Sequence, residues 1–341
     1  MTKAPDFWFS AGRSWQSVLL APVGWIYGRV SAKRMKGKAL GRAGIPVLCI
    51  GNYVLGGAGK TPFSLRLYDR LTDEGFRPGF LLRGYGGRET GPLVVDLERH
   101  DAEAVGDEAL LLAEAGPVVV SADRVAGAAL AQAQDIDVLI MDDGFQNPAL
   151  AKDLAIVLVD AATGVGNGQC FPAGPLRAPM KDQVVRTDVL AVIGEGAGAD
   201  ETVHMAARRG LPILHGRLQP SVPDSLRNGP LLAFAGIGRP GKFFDSLKDE
   251  GLDVAETRSF PDHHPFTQSE AQSLLKTAED KGLQLVTTAK DMARLRSNEH
   301  QIFRWLTSRT EVLPVEMRIS DEDRLVTLIR ERIRQRTFKP V

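Results

Sequence analysis

With 42 Lys/Arg balancing 42 Asp/Glu and 43% hydrophobic residues, the 341-residue chain has the composition of a soluble globular protein, long enough for two domains with separate cores. Two cysteines, Cys49 and Cys170, exclude a disulfide framework and point to a reducing compartment. No CxxC pair or Cys/His cluster calls for structural zinc.

The zero net charge hides an uneven distribution. Residues 1–42 hold eight Lys/Arg (Lys3, Arg13, Arg29, Lys33, Arg34, Lys36, Lys38, Arg42) against Asp6 alone, so this segment carries +7 and the remainder −7. Trp8, Trp15 and Trp25, three of the four tryptophans, lie here too. The apolar run VLLAPVGWI (18–26) is broken by Pro22 and Gly24 and is far too short to span a bilayer. No small-x-small site marks a cleaved signal peptide. Tryptophans, apolar residues and a basic flank suit a segment in a membrane interface facing anionic lipid. A helix packed on the domain with a solvated basic end fits the same composition.

From residue 46 strand-like and helical patterns alternate. Strands are expected at 46–50, 79–82, 117–120, 137–141, 155–159 and 189–193, with a helix over 61–74 whose Phe63, Leu67 and Leu71 recur at helical spacing. Strands apolar throughout and separated by helices indicate a mostly parallel sheet covered on both faces, its ligand-binding loops gathered at the strand carboxyl ends. Residues 216–228 are polar and proline-containing, and read as a linker. Beyond them the pattern restarts with a strand at 231–234, the turn Gly236-Ile-Gly238, a helix over 242–250, strands at 285–288 and 311–318, and a basic helix over 321–336. The expected division is a basic aromatic segment (1–42), a main α/β domain (43–215), and a linker with a second, smaller α/β domain (216–341).

The loop GNYVLGGAGKTP (51–62) departs from the pattern G-x-x-x-x-G-K-[ST], because Val54 stands where its first glycine belongs. Its setting between an apolar strand and a helix is nonetheless that of a phosphate loop. Backbone N–H groups of Gly56, Gly57, Ala58 and Gly59 would form an anion cradle at the helix N-terminus. Lys60 reaches β- and γ-phosphates, and the Thr61 hydroxyl ligates Mg²⁺. The matching acids stand at a strand end in VLIMDDGFQ (138–146): Asp142 and Asp143, which hold Mg²⁺ directly or through water. Together they predict an ATP–Mg²⁺ site on a P-loop NTPase-like domain.

Other elements exceed what an NTPase needs. VGDEA (105–109) puts Asp107 and Glu108 at the start of an apolar helix, where they cap it or where, in a kinase, Asp107 accepts the acceptor hydroxyl's proton. FPDHHPF (260–266) supplies Asp262, His263 and His264; a His beside Asp107 would form an Asp–His dyad. RGYGG (83–87) and GNGQCFPAGPLRAP (166–179) place Arg83 and Arg177 in Gly/Pro-rich loops, where they stabilise phosphoryl charge or simply end a rigid turn.

Taken together, GNYVLGGAGKTP, LLRGYGG, VGDEALLLA, SADR, MDDGFQNPAL, GNGQCFPAGPLRAP, FAGIGRP, FPDHHPF and TTAKD, in this order over about residues 13–318, resemble the lipid A 4′-kinases (tetraacyldisaccharide 4′-kinases) of Gram-negative bacteria. That resemblance implies transfer of the ATP γ-phosphate to the 4′-hydroxyl of a tetraacyldisaccharide 1-phosphate, giving lipid IV-A. It also implies peripheral or monotopic attachment to the cytoplasmic face of the inner membrane through the N-terminal segment, with no nucleic-acid partner. By the same resemblance Asp107 is the base, helped by His263; Lys60, Thr61, Asp142 and Asp143 handle phosphates and Mg²⁺; Arg83, Glu108, Arg124 and Arg177 contact phosphate or substrate. Three positions depart from the family pattern: Ala109 where Pro is common, Asn147 for a frequent His, and Ala178 for an acid, so that its metal or substrate contact either passes to Glu108 or water or leaves a weaker metal site. The rival class, a deviant P-loop switch ATPase, carries a signature Lys where this loop has Leu55, and would not need FPDHHPF or the basic aromatic N-terminus.

Overall fold

A computed structural model of the chain describes residues 4–9, 12, 14–298 and 300–337. Lys3 and Arg13 of the basic segment lie outside them. Its strands are β1 (Val47–Asn52), β2 (Pro78–Leu82), β3 (Leu93–Val94), β4 (Val118–Val120), β5 (Val138–Asp142), β6 (Leu154–Asp160), β7 (Val189–Ile193), β8 (Ile213–Pro220), β9 (Leu231–Ala235), β10 (Val254–Ser259), β11 (Gln284–Thr287), β12 (Thr310–Val312) and β13 (Val315–Ile319). They form a nine-stranded sheet in the order β13-β8-β7-β6-β1-β5-β2-β4-β3 and a four-stranded sheet in the order β10-β9-β11-β12. The large sheet is parallel except at its edges, where β13 and β3 run antiparallel to their neighbours; the small one is parallel throughout.

The all-apolar strands are buried on both faces, as their sequences require. In β1, Leu48 and Ile50 join one core and Val47 and Cys49 the opposite one, each aliphatic side chain contributing roughly 1.5–3 kcal/mol. β1 lies between β5 and β6, and Ile50 is level with Asp142. That register sets the acid at the end of β5 beside the start of the glycine-rich loop.

The sheets do not divide the chain where the sequence suggested. Residues 213–220, read in part as linker, form β8, whose mixed burial pattern lacks the apolar run that marks a central strand. The strand expected over 311–318 is two strands. β12 completes the small sheet, and after Leu313-Pro314 the chain crosses to pair β13 with β8; Pro314 has no N–H to continue a ladder. The C-terminal helix Glu322–Thr337 also returns to the large unit, burying Leu325 and Ile329 in its core. Arg66 donates two bonds to Glu322 at 2.7 and 2.6 Å.

The N-terminal helix Trp15–Met35 packs on the large unit through small residues. A Cβ at Gly24 would fall 2.7 Å from the Cys170 carbonyl oxygen, so only glycine permits this approach. The outer face leaves Trp15 and Leu19 exposed (72% and 70%), along with Trp25, Ile26 and Val30. Among the described residues no helix is long and apolar enough to cross a membrane.

Candidate active site

The loop after β1 adopts the conformation its glycines allow. Gly56 and Gly59 have φ of +119° and +80°, and Gly59 sits at the N-cap of the helix Lys60–Asp73. The Asn52 amide donates to the Gly56 carbonyl at 2.8 Å. Val54 makes an antiparallel bridge with Leu176, while Leu55 N–H donates to the Pro175 carbonyl at 2.8 Å. The position that departs from the common pattern is thus pinned as extended chain by the 166–179 loop, and the cradle begins at Gly56.

At the end of β5 the two aspartates have opposite environments. Asp142 is 2% exposed, and both its carboxylate oxygens are buried with no hydrogen-bond partner among the described residues. Burial, then the nearby Glu108 carboxylate, push its pKa up to about 7, against the opposing charges of Lys60 and Lys290. Asp143, at φ +51°, lies 3.6 Å from Lys60 Nζ and accepts from Arg177 Nη1 at 2.8 and 2.9 Å. Burial works to raise its pKa, but Lys60 and Arg177 outweigh it and hold it at about 2. Arg177 also donates from Nε to the Val54 carbonyl at 3.0 Å, tying this acid to the loop.

The second half of the site joins the two sheets. Asp107 opens the helix Asp107–Ala113 and is 4% exposed. Its oxygens lie 3.1 Å from His263 Nδ1, Oδ1 accepts from Glu108 N–H at 3.0 Å, and Oδ2 accepts from Arg294 at 2.6 Å. Burial opposes ionisation of Asp107, yet the bonds from His263 and Arg294 and the charge of Lys290 depress its pKa well below the usual carboxylate range. The hydrogen bond to Asp107 raises the pKa of His263, against its burial. His263 itself has φ +57°, and its Nε2 lies 3.8 Å from Asp262. Beside this pair Lys290 Nζ meets Glu108 at 2.6 Å.

Lys60, Asp142, Asp143 and Arg177, and across from them Asp107, Glu108 and His263, are therefore brought together. Arg124 and Arg83 lie near each other, and Arg124 feels the charges of Asp143 and Asp142. Arg124 is 3% exposed, its Nη1 on the Ser121 carbonyl, so it supports the site from inside; Arg83 is exposed on the loop after β2. Ala178 is fully buried, and Ala109 nearly so. Asn147 caps its own turn by accepting from Ala149 N–H at 3.0 Å. Sequence reasoning quoted TTAKD (287–291), which contains Lys290 and Asp291, without giving either a role, and missed Arg294 three residues beyond it. The available signal was Thr288 and Asp291 at capping distance, with two cations four residues apart. His264 is engaged elsewhere, with Glu270 at 2.9 Å.

An Asp–His pair can accept a proton from a hydroxyl, which a switch NTPase does not require; fold and site together define a P-loop phosphotransferase. A model of the tetraacyldisaccharide-1-P 4′-kinase family (LpxK) matches residues 16–334. A tetraacyldisaccharide 4′-kinase of Rhodopseudomonas palustris (strain BisB5) is 48% identical, over 99% of this chain and 98% of that protein. One from Nitrobacter hamburgensis is 51% identical over 86% and 88%. A crystal structure of LpxK from Aquifex aeolicus in complex with ATP superposes with a TM-score of 0.73 at 28% identity, covering 93% of this chain and 99% of that one. The chain belongs to the tetraacyldisaccharide 4′-kinase family, ATP-dependent kinases of lipid A biosynthesis.

Proposed function

We propose that ATP lies on the Gly56–Thr61 cradle with Lys60 at its β- and γ-phosphates, and that the 4′-hydroxyl of the tetraacyldisaccharide 1-phosphate attacks from the side of Asp107 and His263. The attacking oxygen bonds to the γ-phosphorus as the bond to the β-phosphate oxygen breaks, and its proton passes to the Asp107–His263 pair. The observation that carries this reading is the pair itself, with His263 Nδ1 at 3.1 Å from both Asp107 oxygens. A carboxylate with so depressed a pKa is a weak acceptor alone. With Nδ1–H donated to Asp107, His263 keeps a lone pair on Nε2, so the two act as one base.

Mg²⁺ fits the residues present. The orphaned oxygens of Asp142 are donors awaiting a cation, and one or two carboxylates, a Thr hydroxyl and nucleotide phosphates make a usual Mg²⁺ set. Thr61 and Asp142 would hold the ion directly; Asp143, already paired with Arg177 and Lys60, would act through water. Bound there, it would neutralise charge on the β- and γ-phosphate oxygens. Arg177 and exposed Arg83 remain the candidates for contact with phosphate or sugar. Residues 43–220 with 315–337 form the nucleotide half of the molecule in this reading, and 224–313 the covering half.

The outer face of the helix Trp15–Met35 is the membrane contact, set into the cytoplasmic leaflet with Arg29, Lys33, Arg34 and Lys36 toward anionic headgroups. It would bring the enzyme to its acylated substrate without crossing the bilayer. Replacing Trp15, Leu19 and Ile26 by serine should weaken binding to vesicles containing phosphatidylglycerol, and unchanged binding would sink this assignment. The chemical reading is tested with γ-labelled ATP and tetraacyldisaccharide 1-phosphate against a no-acceptor control. Label in the disaccharide is the expected result; acceptor-independent hydrolysis alone would overturn it.

A further inference from the structure

The helix Ala289–Arg296 belongs to the small sheet, yet three of its side chains end on acids of the large one: Lys290 on Glu108, Arg294 on Asp107 and, at the exposed end, Arg296 on Glu114 at 3.4 Å. Thr288 caps it, accepting from Asp291 N–H at 3.2 Å and donating to Asp291 Oδ2 at 2.7 Å. Positions 290 and 294 share one face. Arg294 is a fixed strut: its side chain is 8% exposed and bonds Asp107 at 2.6 Å, Asp291 at 2.9 Å, and the carbonyls of His264 and Gly236 at 3.2 and 3.4 Å. Lys290 differs. Its side chain is 27% exposed, and its hydrogen-bond partner among the described residues is Glu108, at 2.6 Å. An ammonium has three donors on a flexible stem, so two remain to be used.

The surroundings say what could use them. The charge of Lys290 is felt at Asp142 together with that of Lys60, and again at Asp107 and His263. It therefore stands where the phosphate loop, the orphaned acid and the proton-accepting pair face one another. Among the other cations, Arg177 is committed to Asp143 and the Val54 carbonyl and Arg294 to Asp107; Arg124 is buried with Nη1 on the Ser121 carbonyl, and Arg83 is exposed on the loop after β2. Phosphoryl transfer spreads negative charge over the equatorial oxygens of the moving group. Lys60 is the phosphate loop's single cation for this task.

Resting on the kinase-site reading above, we infer that Lys290 is a catalytic cation delivered by the small sheet, one that turns a donor from its Glu108 mooring to an oxygen of the γ-phosphoryl group during transfer. Glu108 holds the ammonium at the cleft when no phosphate is there. Arg294, anchored on Asp107, keeps the helix in place so that this reach is available only while the two sheets are docked.

The test uses the full chain in detergent–lipid mixed micelles with ATP and tetraacyldisaccharide 1-phosphate. Lys290→Met should lower kcat on the order of 10²–10³-fold, the size seen when a charge-stabilising donor or finger is removed. Its KM for ATP should move by less than about fivefold, since the cradle is untouched. Lys290→Arg, which keeps the charge, should recover part of the loss; Lys290→Gln, which keeps stem and a donor but no charge, should not. The control is denaturant unfolding of Lys290→Met beside its ATP affinity by calorimetric titration: if the loss of turnover is matched by a loss of folded, ATP-binding protein, Lys290 merely neutralises Glu108 and the proposal fails. The expected result is a folded variant that binds ATP and transfers slowly. Turnover of Lys290→Met within about threefold of wild type, too small for a lost transition-state contact, would also overturn it. No transfer by the wild-type chain would instead overturn the underlying kinase-site reading, and this proposal with it.

Discussion

The half of the site proposed to hold nucleotide and the half proposed to receive the acceptor are built differently. Lys60, Asp142, Asp143 and Arg177 all come from the large sheet's loops, and the register of β1 against β5 fixes their places. Asp107 and Glu108 come from the same unit, but their partners His263, Lys290 and Arg294 come from the small one. The first half is complete within one folding unit; the second exists only when two units are docked. If the site reading holds, a kinase built this way could hold ATP on one unit before the second unit completes the acceptor side.

The sharpest way to break that contrast is to compare Lys60→Ala with Asp107→Ala. Asp107→Ala should reduce transfer on the order of 10³-fold, the range for a lost general base, while ATP affinity stays within a few-fold by calorimetric titration. Lys60→Ala should lose both. Equal loss of ATP binding in the two variants would mean that the halves are not separable. Arg294→Ala comes next. It strands the buried carboxylates of Asp107 and Asp291, so denaturant unfolding should show a loss of about 3–5 kcal/mol, together with impaired transfer. A smaller effect is expected at the far contact between the sheets, where Asp160 meets Arg239 at 3.3 Å and Lys242 at 2.9 Å. Those cations are partly exposed, so Asp160→Asn should cost about 1 kcal/mol or less and change turnover only mildly.

The same contrast separates what could be read from the sequence from what could not. Strand, glycine-rich turn, Lys60 and Thr61, then an apolar strand ending in two acids, are local patterns whose meaning survives without coordinates. Asp107 and His263 were legible only as candidates, because their 3.1 Å meeting spans 156 residues of chain. Arg177 was legible as a ligand-edge arginine, but its bond to Asp143 depends on how the 166–179 loop straps Val54. Lys290 and Arg294 sit in an ordinary amphipathic helix; the Thr288–Asp291 cap marks its start, but nothing local tells that either cation meets an acid of the other unit. The edge strands were hidden for another reason. β8 and β13 carry polar faces, so they lack the apolar run that marks central strands, and the crossing at Pro314 splits one alternating pattern between two sheets.

The smallest expected effect probes the join itself. Asp107 stays charged at any working pH because His263, Arg294 and Lys290 hold its pKa down. Its hydrogen bond raises the pKa of His263, and Asp262 adds to the rise, while burial and Lys290 oppose it. A group whose folded-state pKa is raised contributes its full stabilisation below its unfolded pKa, about 6.5 for His, and loses it as pH rises through the folded value. Wild type should therefore exceed His263→Gln in stability most at about pH 6 and least near pH 9. The gap should close as pH rises through the folded pKa of His263. Denaturant unfolding of both proteins across this range, without nucleotide, reads it directly. A gap that widened with pH would mean that the docked state favours neutral imidazole, and the charged bridge between the sheets would have to be assigned to Arg294 alone.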